Sequence, residues 1–139
     1  MSDAWIEGMR PLLDAPSPAV LTTYRRDGSV LVSPVWFRWA DGAFEIVVTE
    51  GNAKLRHLER DPRCILVVFD TAPPFRGIEV RGTPEIVRGD VTPAREAIAG
   101  RYLGADAGRR FAASRSGGVL LRLVPEEPRA WDLSAILPD

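Results

Sequence analysis

The sequence has almost no cysteine or histidine. Its 139 residues include one of each, Cys64 and His57. A disulfide within the chain is therefore excluded, and no paired ligands occur at the spacing that a zinc site requires, so we expect no metal centre. Cys64 lies in an apolar run, which predicts a buried thiol that packs as a small hydrophobic group.

Excess charge and long apolar runs are also missing. The formal net charge is −1, so the chain lacks the basic surface that binds phosphate backbones, and we expect no nucleic-acid partner. No stretch reaches the roughly 18 consecutive apolar residues of a membrane span. The acidic residues Asp3 and Glu7 are atypical of a signal peptide. We therefore expect no membrane association and a cytoplasmic location.

Several common catalytic motifs do not occur. The sequence has no G-x-S-x-G elbow, no P-loop and no G-x-G-x-x-G turn after a strand. The composition is nevertheless that of a folded domain, with 45% apolar and 27% charged residues. Because the length suits one core, residues 1–139 are interpreted as a single domain.

Short runs of β-branched and aromatic residues predict a mainly β fold. Arg26-Asp27-Gly28 and Asp41-Gly42 separate such runs and favour tight hairpins. Thr92 and Pro93 predict a helix start with a capping hydroxyl. Predicted strands cover residues 19–24, 30–39, 44–49, 63–69, 75–87 and 119–124, with a short piece around 131, and predicted helices cover residues 3–13, 53–60, 92–102 and 106–115. Six or seven antiparallel strands with short helices at the joins favour a closed or partly open barrel.

The run from Arg63 to Phe69 is almost entirely apolar. Alternation of polar and apolar residues marks a strand with one solvated face, and this run shows none. It predicts a central strand that is covered on both faces.

One segment predicts an anion site. A strand that ends at Val48 and Thr49 leads through a polar loop into a helix that Asn52 can cap. A helix N-terminus offers unpaired amide groups and the positive end of its dipole. Lys54 lies in the first turn, and it is the single lysine among 18 basic residues. Thr49 and Lys54 thus predict a phosphate-binding cradle, with an ordinary solvated role for Lys54 as the alternative.

Five blocks follow one another in a characteristic order. They are Ala19-Val20-Leu21-Thr22-Thr23-Tyr24-Arg25-Arg26-Asp27-Gly28-Ser29, Ser33-Pro34-Val35-Trp36-Phe37, Thr49 with Lys54 and Leu58, Arg60-Asp61-Pro62-Arg63, and Gly77-Ile78-Glu79-Val80-Arg81-Gly82. Together they resemble the pyridoxamine-phosphate-oxidase-like split-barrel family over residues 5 to 131. The resemblance implies a six- to seven-stranded antiparallel split barrel of the FMN-binding type.

The resemblance also implies where a cofactor binds. Its ring is expected along the strand Ser33, Pro34, Val35 and Trp36, and its phosphate near the segment Val48, Thr49, Asn52, Ala53 and Lys54. The family is homodimeric with the cofactor between subunits, so a second copy of the chain would complete each site, and Trp131 is the candidate for that contribution.

Two positions depart from the family pattern. His57 replaces an asparagine of the deazaflavin-binding relatives. It is interpreted as a neutral imidazole that holds a strand carbonyl, with proton donation to substrate as the alternative. Ser33 replaces an arginine of the oxidase branch, which argues against oxidation of pyridoxamine phosphate itself. Arg38 and Arg56 could meet an acidic cofactor tail, such as the glutamates of coenzyme F420, or could be solvated.

The resemblance implies an oxidoreductase that uses coenzyme F420 or FMN and transfers hydride to a small organic substrate. Coenzyme F420 is favoured, because the resemblance is greatest to that branch, and haem is less favoured. Since such cofactors supply the chemistry, no acid–base triad is needed. The alternatives are a non-catalytic carrier or sensor that binds flavin, F420 or haem, and a dimerisation module without a ligand.

Overall fold

The computed structural model describes residues 4–139, and in them four helices and nine strands. The helices are α1 (Ala4–Asp14), α2 (Ala53–Arg60), α3 (Thr92–Leu103) and α4 (Ala105–Ala113). The strands are β1 (Ala19–Tyr24), β2 (Val30–Val35), β3 (Arg38–Ala40), β4 (Ala43–Val48), β5 (Cys64–Phe69), β6 (Gly77–Gly82), β7 (Glu85–Val87), β8 (Val119–Leu123) and β9 (Glu126–Trp131). No helix in this range is long and apolar enough to cross a bilayer.

The strands form two antiparallel sheets. One has the order β2-β1-β5-β6-β9 and the other the order β3-β4-β8-β7. Alternating side chains from their facing sides build one core, closed at its ends by α1 and α2. Leu12, Leu13, Leu55 and Leu58 are the helical residues buried most deeply in it. The mainly β, split-barrel prediction is confirmed.

Two of the long predicted strands are each divided between the sheets. The run predicted over residues 30–39 breaks after Val35, so that β2 pairs with β1 and β3 pairs with β4. The run predicted over residues 75–87 breaks after Gly82, at Thr83 and Pro84, so that β6 and β7 lie in different sheets. Proline lacks the amide that would continue the ladder, which favours the second break.

Local signals were accurate at the hairpins and wrong at one cap. Asp41 and Gly42 both have positive φ, 52° and 76°, in the two-residue turn between β3 and β4. Asn52 caps α2 as predicted. Thr92 does not cap α3, because it is already the first residue of that helix, and its own amide donates to Asp90 Oδ1 at 3.0 Å.

The strand β5 is central in its sheet, as predicted, but one chain covers only one of its faces. Cys64, Leu66 and Val68 are buried in the core. Ile65, Val67 and Phe69, on the other face, are only partly buried. Burial raises the pKa of the Cys64 thiol to about 12, so this cysteine is the inert core residue that the sequence predicted.

Candidate functional site

A cavity of about 730 Å³ lies where the end of β4, the chain after β2 and the α3–α4 hairpin meet. Its size is within the range of small-molecule sites. The wall is mostly apolar, with polar and cationic side chains grouped around the β4–α2 connection. The lining residues are Pro16, Pro18, Ala19, Val20, Pro34, Val35, Trp36, Val47, Val48, Thr49, Asn52, Lys54, Phe69, Arg95, Ile98, Tyr102, Phe111 and Arg115.

Aromatic rings form one wall of this cavity. Trp36 is stacked on Tyr102, with ring centroids 5.2 Å apart and an interplanar angle of 9°. Phe111 from α4 contacts the same indole at 5.4 Å between centroids. Trp36 keeps 38% of its surface exposed, so part of the ring faces the open cavity. Such a wall suits a flat, apolar ligand ring.

The backbone beside Trp36 is held by α3 rather than by a strand. The Phe37 amide donates to Tyr102 Oη at 3.3 Å, and that hydroxyl donates to the Ser17 carbonyl at 2.9 Å. The Arg101 guanidinium donates to the Phe37 carbonyl and, at 2.9 Å, to the Leu13 carbonyl. Burial lowers the pKa of Arg101 and raises the pKa of Tyr102. These two side chains therefore fix the position of the aromatic wall.

The predicted anion cradle has the expected local geometry. The Asn52 amide donates to the Thr49 carbonyl at 3.1 Å, and the Lys54 amide donates to Asn52 Oδ1 at 2.9 Å. The side-chain oxygen of Asn52 therefore occupies one first-turn amide of α2, while helix geometry leaves those of Ala53 and Leu55 without an intrahelical acceptor. Thr49, Asn52 and Lys54 all line the cavity.

Two further cations at the cavity were missed from the sequence. Arg95 and Arg115 line the main cavity and also a smaller recess of about 300 Å³ beside it. A signal existed for Arg95, since it shares one helical face with Ile98 and Tyr102 at spacings of three and seven residues, and all three line the cavity. Among the described lining residues there is no carboxylate, so the cavity attracts anions.

His57 lies outside the cavity lining. Its Nδ1 is 3.0 Å from the hydroxyl oxygen of Thr23, which is fully buried. Burial lowers the pKa of His57, and Arg25, Arg60 and Arg56 lower it further. The imidazole is thus neutral near pH 7 and bound to β1 through a side chain, whereas the sequence had suggested a strand carbonyl as its partner.

The other predicted site residues are divided between the cavity and its surroundings. Pro34, Val35, Trp36 and Val48 line it, but Ser33, Ala53 and Trp131 do not. Ser33 pairs with Leu21, and alternation along β2 turns it away from the face of Pro34. Trp131 lies at the opposite edge of the five-stranded sheet, on Gly77.

The two arginines considered for an acidic tail have other partners. Arg38 Nε donates to Glu45 Oε1 at 2.7 Å, and this carboxylate also binds Arg122 at 3.0 Å. The Arg56 guanidinium donates to the Gly51 carbonyl at 2.5 Å. Neither residue lines the cavity, whereas Arg95 and Arg115 do.

Fold and cavity together define a split-barrel protein whose pocket combines an aromatic wall with a cationic end. The family model for pyridoxamine 5'-phosphate oxidase matches residues 6–132. The chain therefore belongs to the pyridoxamine 5'-phosphate oxidase family, as the sequence blocks had indicated. A search of curated proteins found no match.

Solved structures with this fold have varied descriptions. A conserved hypothetical protein of Mycobacterium tuberculosis is 26% identical, with a TM-score of 0.79 over 100% of this chain and 90% of that one. An F420 reductase is also 26% identical, with a TM-score of 0.65 over 86% and 94%. The haem-storage protein HutZ of Vibrio cholerae, at 17% identity and a TM-score of 0.66 over 94% and 93%, shares the fold alone.

Proposed function

We propose that this protein binds coenzyme F420 or FMN and acts as an oxidoreductase that reduces a small organic substrate. The observation that carries the proposal is the arrangement of one cavity, with the Trp36–Tyr102 stack on its wall and Lys54 at the β4–α2 connection. A flat redox ring with an anionic side chain matches both features. The 26% identity with an F420 reductase supports the preference for F420.

The residues present fit such a cofactor in their chemistry. Bound there, the reduced ring would supply a hydride to the substrate, and solvent would supply the accompanying proton. Lys54 and the Thr49 hydroxyl would hold the phosphate by charge-assisted hydrogen bonds, together with free first-turn amides of α2. Trp36, Tyr102 and Phe111 would pack on the ring and exclude water from one side of it.

Haem is favoured less because the cavity offers few ligands for iron. Haem proteins hold the iron through histidine, cysteine, methionine or tyrosine. Of the described candidates, His57, Cys64, Met9 and Tyr24 lie outside the lining. Tyr102 lines the cavity, but its hydroxyl already bonds the Ser17 carbonyl and the Phe37 amide.

A non-catalytic carrier or sensor of the same cofactor is the second candidate. The described lining residues include no aspartate, glutamate or histidine that could exchange a proton with substrate. Hydride transfer that takes its proton from solvent does not need such a group, and storage of the cofactor does not need one either. Binding alone therefore does not distinguish the two functions.

A two-stage experiment tests the proposal. The purified protein is titrated with F420, FMN and haem, and binding is followed by visible absorption and fluorescence. We expect F420 or FMN to bind, and the bound reduced form to be reoxidised by unsaturated acceptors faster than in protein-free solution. Binding without acceleration would favour the carrier, and failure of both F420 and FMN to bind would refute the proposed function.

We also propose that two copies of the chain form the functional unit. The outward face of the five-stranded sheet carries an apolar patch, hereafter the open face, formed by Val20, Val30, Val32, Pro34, Ile65, Val67 and Phe69. Val20, Pro34 and Phe69 belong to this patch and to the cavity wall. A second copy on the open face would bury the uncovered side of β5 and approach the cavity opening.

A further inference from the structure

A recess beside the main cavity has the composition of a second anion site. It measures about 300 Å³ and is lined by Thr49, Arg95, Ser114, Arg115 and Ser116. Thr49, Arg95 and Arg115 also line the main cavity, so the recess adjoins it. Lys54 lines the main cavity but not the recess. Two arginines and three hydroxyl groups therefore surround a space beyond the predicted phosphate cradle.

Both arginines are free of acidic partners in the described part of the chain. Arg95 is only 7% exposed, and its Nη2 donates to the Gly117 carbonyl at 2.6 Å. The guanidinium of Arg115 lies 4.4 Å from the centroid of the Phe111 ring. No aspartate or glutamate of residues 4–139 forms an ion pair with either side chain. A guanidinium has five N–H donors, and the Gly117 carbonyl accepts from Arg95 Nη2 alone. The buried guanidinium of Arg95 therefore has N–H groups left to donate to an anion.

The chain beside the recess leaves room for the Arg95 side chain. Gly117 and Gly118 both have positive φ, 69° and 108°. A Cβ atom at Gly118 would lie 2.2 Å from Arg95 Nη2. A side chain at this position would therefore displace the guanidinium from its place at the recess, in addition to straining the backbone.

We propose that the recess binds a second anionic group of the cofactor, a carboxylate on a tail that continues past the phosphate. This inference rests on the proposed function and narrows it to a cofactor with a poly-acidic tail. The phosphate occupies the cradle at Lys54 and Thr49, and the tail carboxylate receives hydrogen bonds from Arg95 and Arg115. A glutamate tail of coenzyme F420 has this chemistry, whereas FMN ends at its phosphate.

The test compares ligands that differ in the tail alone. Affinities are measured by fluorescence titration for F420 with several tail glutamates, for the same compound without glutamates, and for FMN. The variant is Arg115→Gln, at an exposed position just beyond the end of α4. Arg110→Gln within α4 is the matched control, because Arg110 is exposed and lines neither space. Arg115→Lys tests whether a positive charge at this position is enough to bind the tail carboxylate, without the paired N–H groups of a guanidinium.

In the wild type and in Arg110→Gln, we expect the tailed compound to bind about tenfold more tightly than the tail-free one, as for a charge-assisted contact. Arg115→Gln should remove most of this difference and leave the affinity for the tail-free compound unaffected, and Arg115→Lys should retain part of the difference. Equal binding of tailed and tail-free compounds by the wild type would overturn the inference while leaving the proposed function intact. Equal weakening of all ligands by Arg115→Gln would also overturn it, by assigning Arg115 to the cradle. Failure of every ring ligand to bind would instead refute the proposed function, and the inference with it.

Discussion

The indole of Trp36 lies face to face with the phenol ring of Tyr102, 5.2 Å away and tilted by 9°. The contact joins the end of the β2 segment to α3. Through its hydroxyl, Tyr102 also binds the Phe37 amide and the Ser17 carbonyl. One side chain thus supports the aromatic wall of the cavity and satisfies the backbone where β2 and β3 separate.

The first prediction concerns this hydroxyl. Tyr102→Phe keeps the ring stack but leaves the Phe37 amide and the Ser17 carbonyl without their partner, so we expect a loss of about 1–3 kcal/mol in the free energy of unfolding. Urea denaturation measures it. Tyr24→Phe is the control, with an expected change within about 0.5 kcal/mol. Equal stability of the Tyr102→Phe variant and the wild type would show that water replaces the hydroxyl.

The second prediction concerns Lys54. Lys54→Ala should weaken cofactor binding by about 1.5–3 kcal/mol, because it removes a charge-assisted contact at the cradle. The fold should be intact, because the ammonium group makes no contribution to the core. Titration with F420 and FMN measures the affinity, and Arg26→Ala, in the exposed β1–β2 turn, is the control. Unchanged affinity would return Lys54 to the class of solvated surface residues.

The third prediction concerns pH. Burial and the charges of Arg25, Arg60 and Arg56 hold the pKa of His57 below its ordinary value of 6.5. Between the lowered pKa of His57 in the folded chain and its ordinary pKa in the unfolded chain, the unfolded chain binds a proton at His57 that the folded chain does not. Stability is therefore greatest above pH 6.5 and falls as the pH decreases through that value toward the folded pKa. His57→Asn should reduce this dependence.

The measurement for His57 is the free energy of unfolding at about pH 8 and about pH 5.5, above the range in which carboxylates titrate. Wild type should lose more stability than His57→Asn between these two values. The same variant tests the proton-donor alternative, because turnover that survives the substitution assigns His57 to the hydrogen bond with Thr23. Loss of turnover with full cofactor binding would support the donor role.

The sequence predicted features that depend on neighbouring residues. The Asp41-Gly42 turn and the Asn52 cap follow from local backbone preferences. The Thr49–Lys54 segment could be predicted as a candidate site for the same reason, since a helix N-terminus and its first turn are contiguous in the chain.

Features that depend on distant residues were not predicted. The break after Val35 requires Arg101 and Tyr102 to take over the backbone groups of Phe37, and no local pattern at residues 30–39 announces them. In the sequence, Arg95 and Arg115 are ordinary residues of predicted helices. They become site candidates only when the α3–α4 hairpin packs beside β4.

The fourth prediction concerns the proposed dimer. Val32 is 57% exposed on the open face, and Val32→Glu would place a charge where a second copy is expected to bury an apolar surface. We expect wild type to sediment as a dimer and the variant as a monomer. Val124→Glu is the matched control, since Val124 is 59% exposed and lies outside the open face. A monomeric wild type, or a Val32→Glu dimer, would contradict the proposed assembly.

The fifth prediction concerns Trp131 at the far edge of the same sheet. Its ring lies directly on Gly77, where an added Cβ would be 2.1 Å from Trp131 Cζ2. Gly77→Ala must therefore displace the indole, with an expected cost of about 1–3 kcal/mol in stability and a red shift of tryptophan fluorescence. Gly8→Ala is the control. No atom lies near its Cβ position, and a helical alanine there should stabilise by roughly 0.5–1 kcal/mol.

Cofactor affinity of the Gly77→Ala variant then tests whether Trp131 contributes to the site of a second copy. Within one chain this residue does not line the cavity, so displacement of its ring should not change affinity in a monomer. In a dimer that uses Trp131 across the interface, affinity should fall while sedimentation still reports a dimer. A dimeric variant with unchanged affinity would remove Trp131 from the candidate site and leave it as a packing residue on β6.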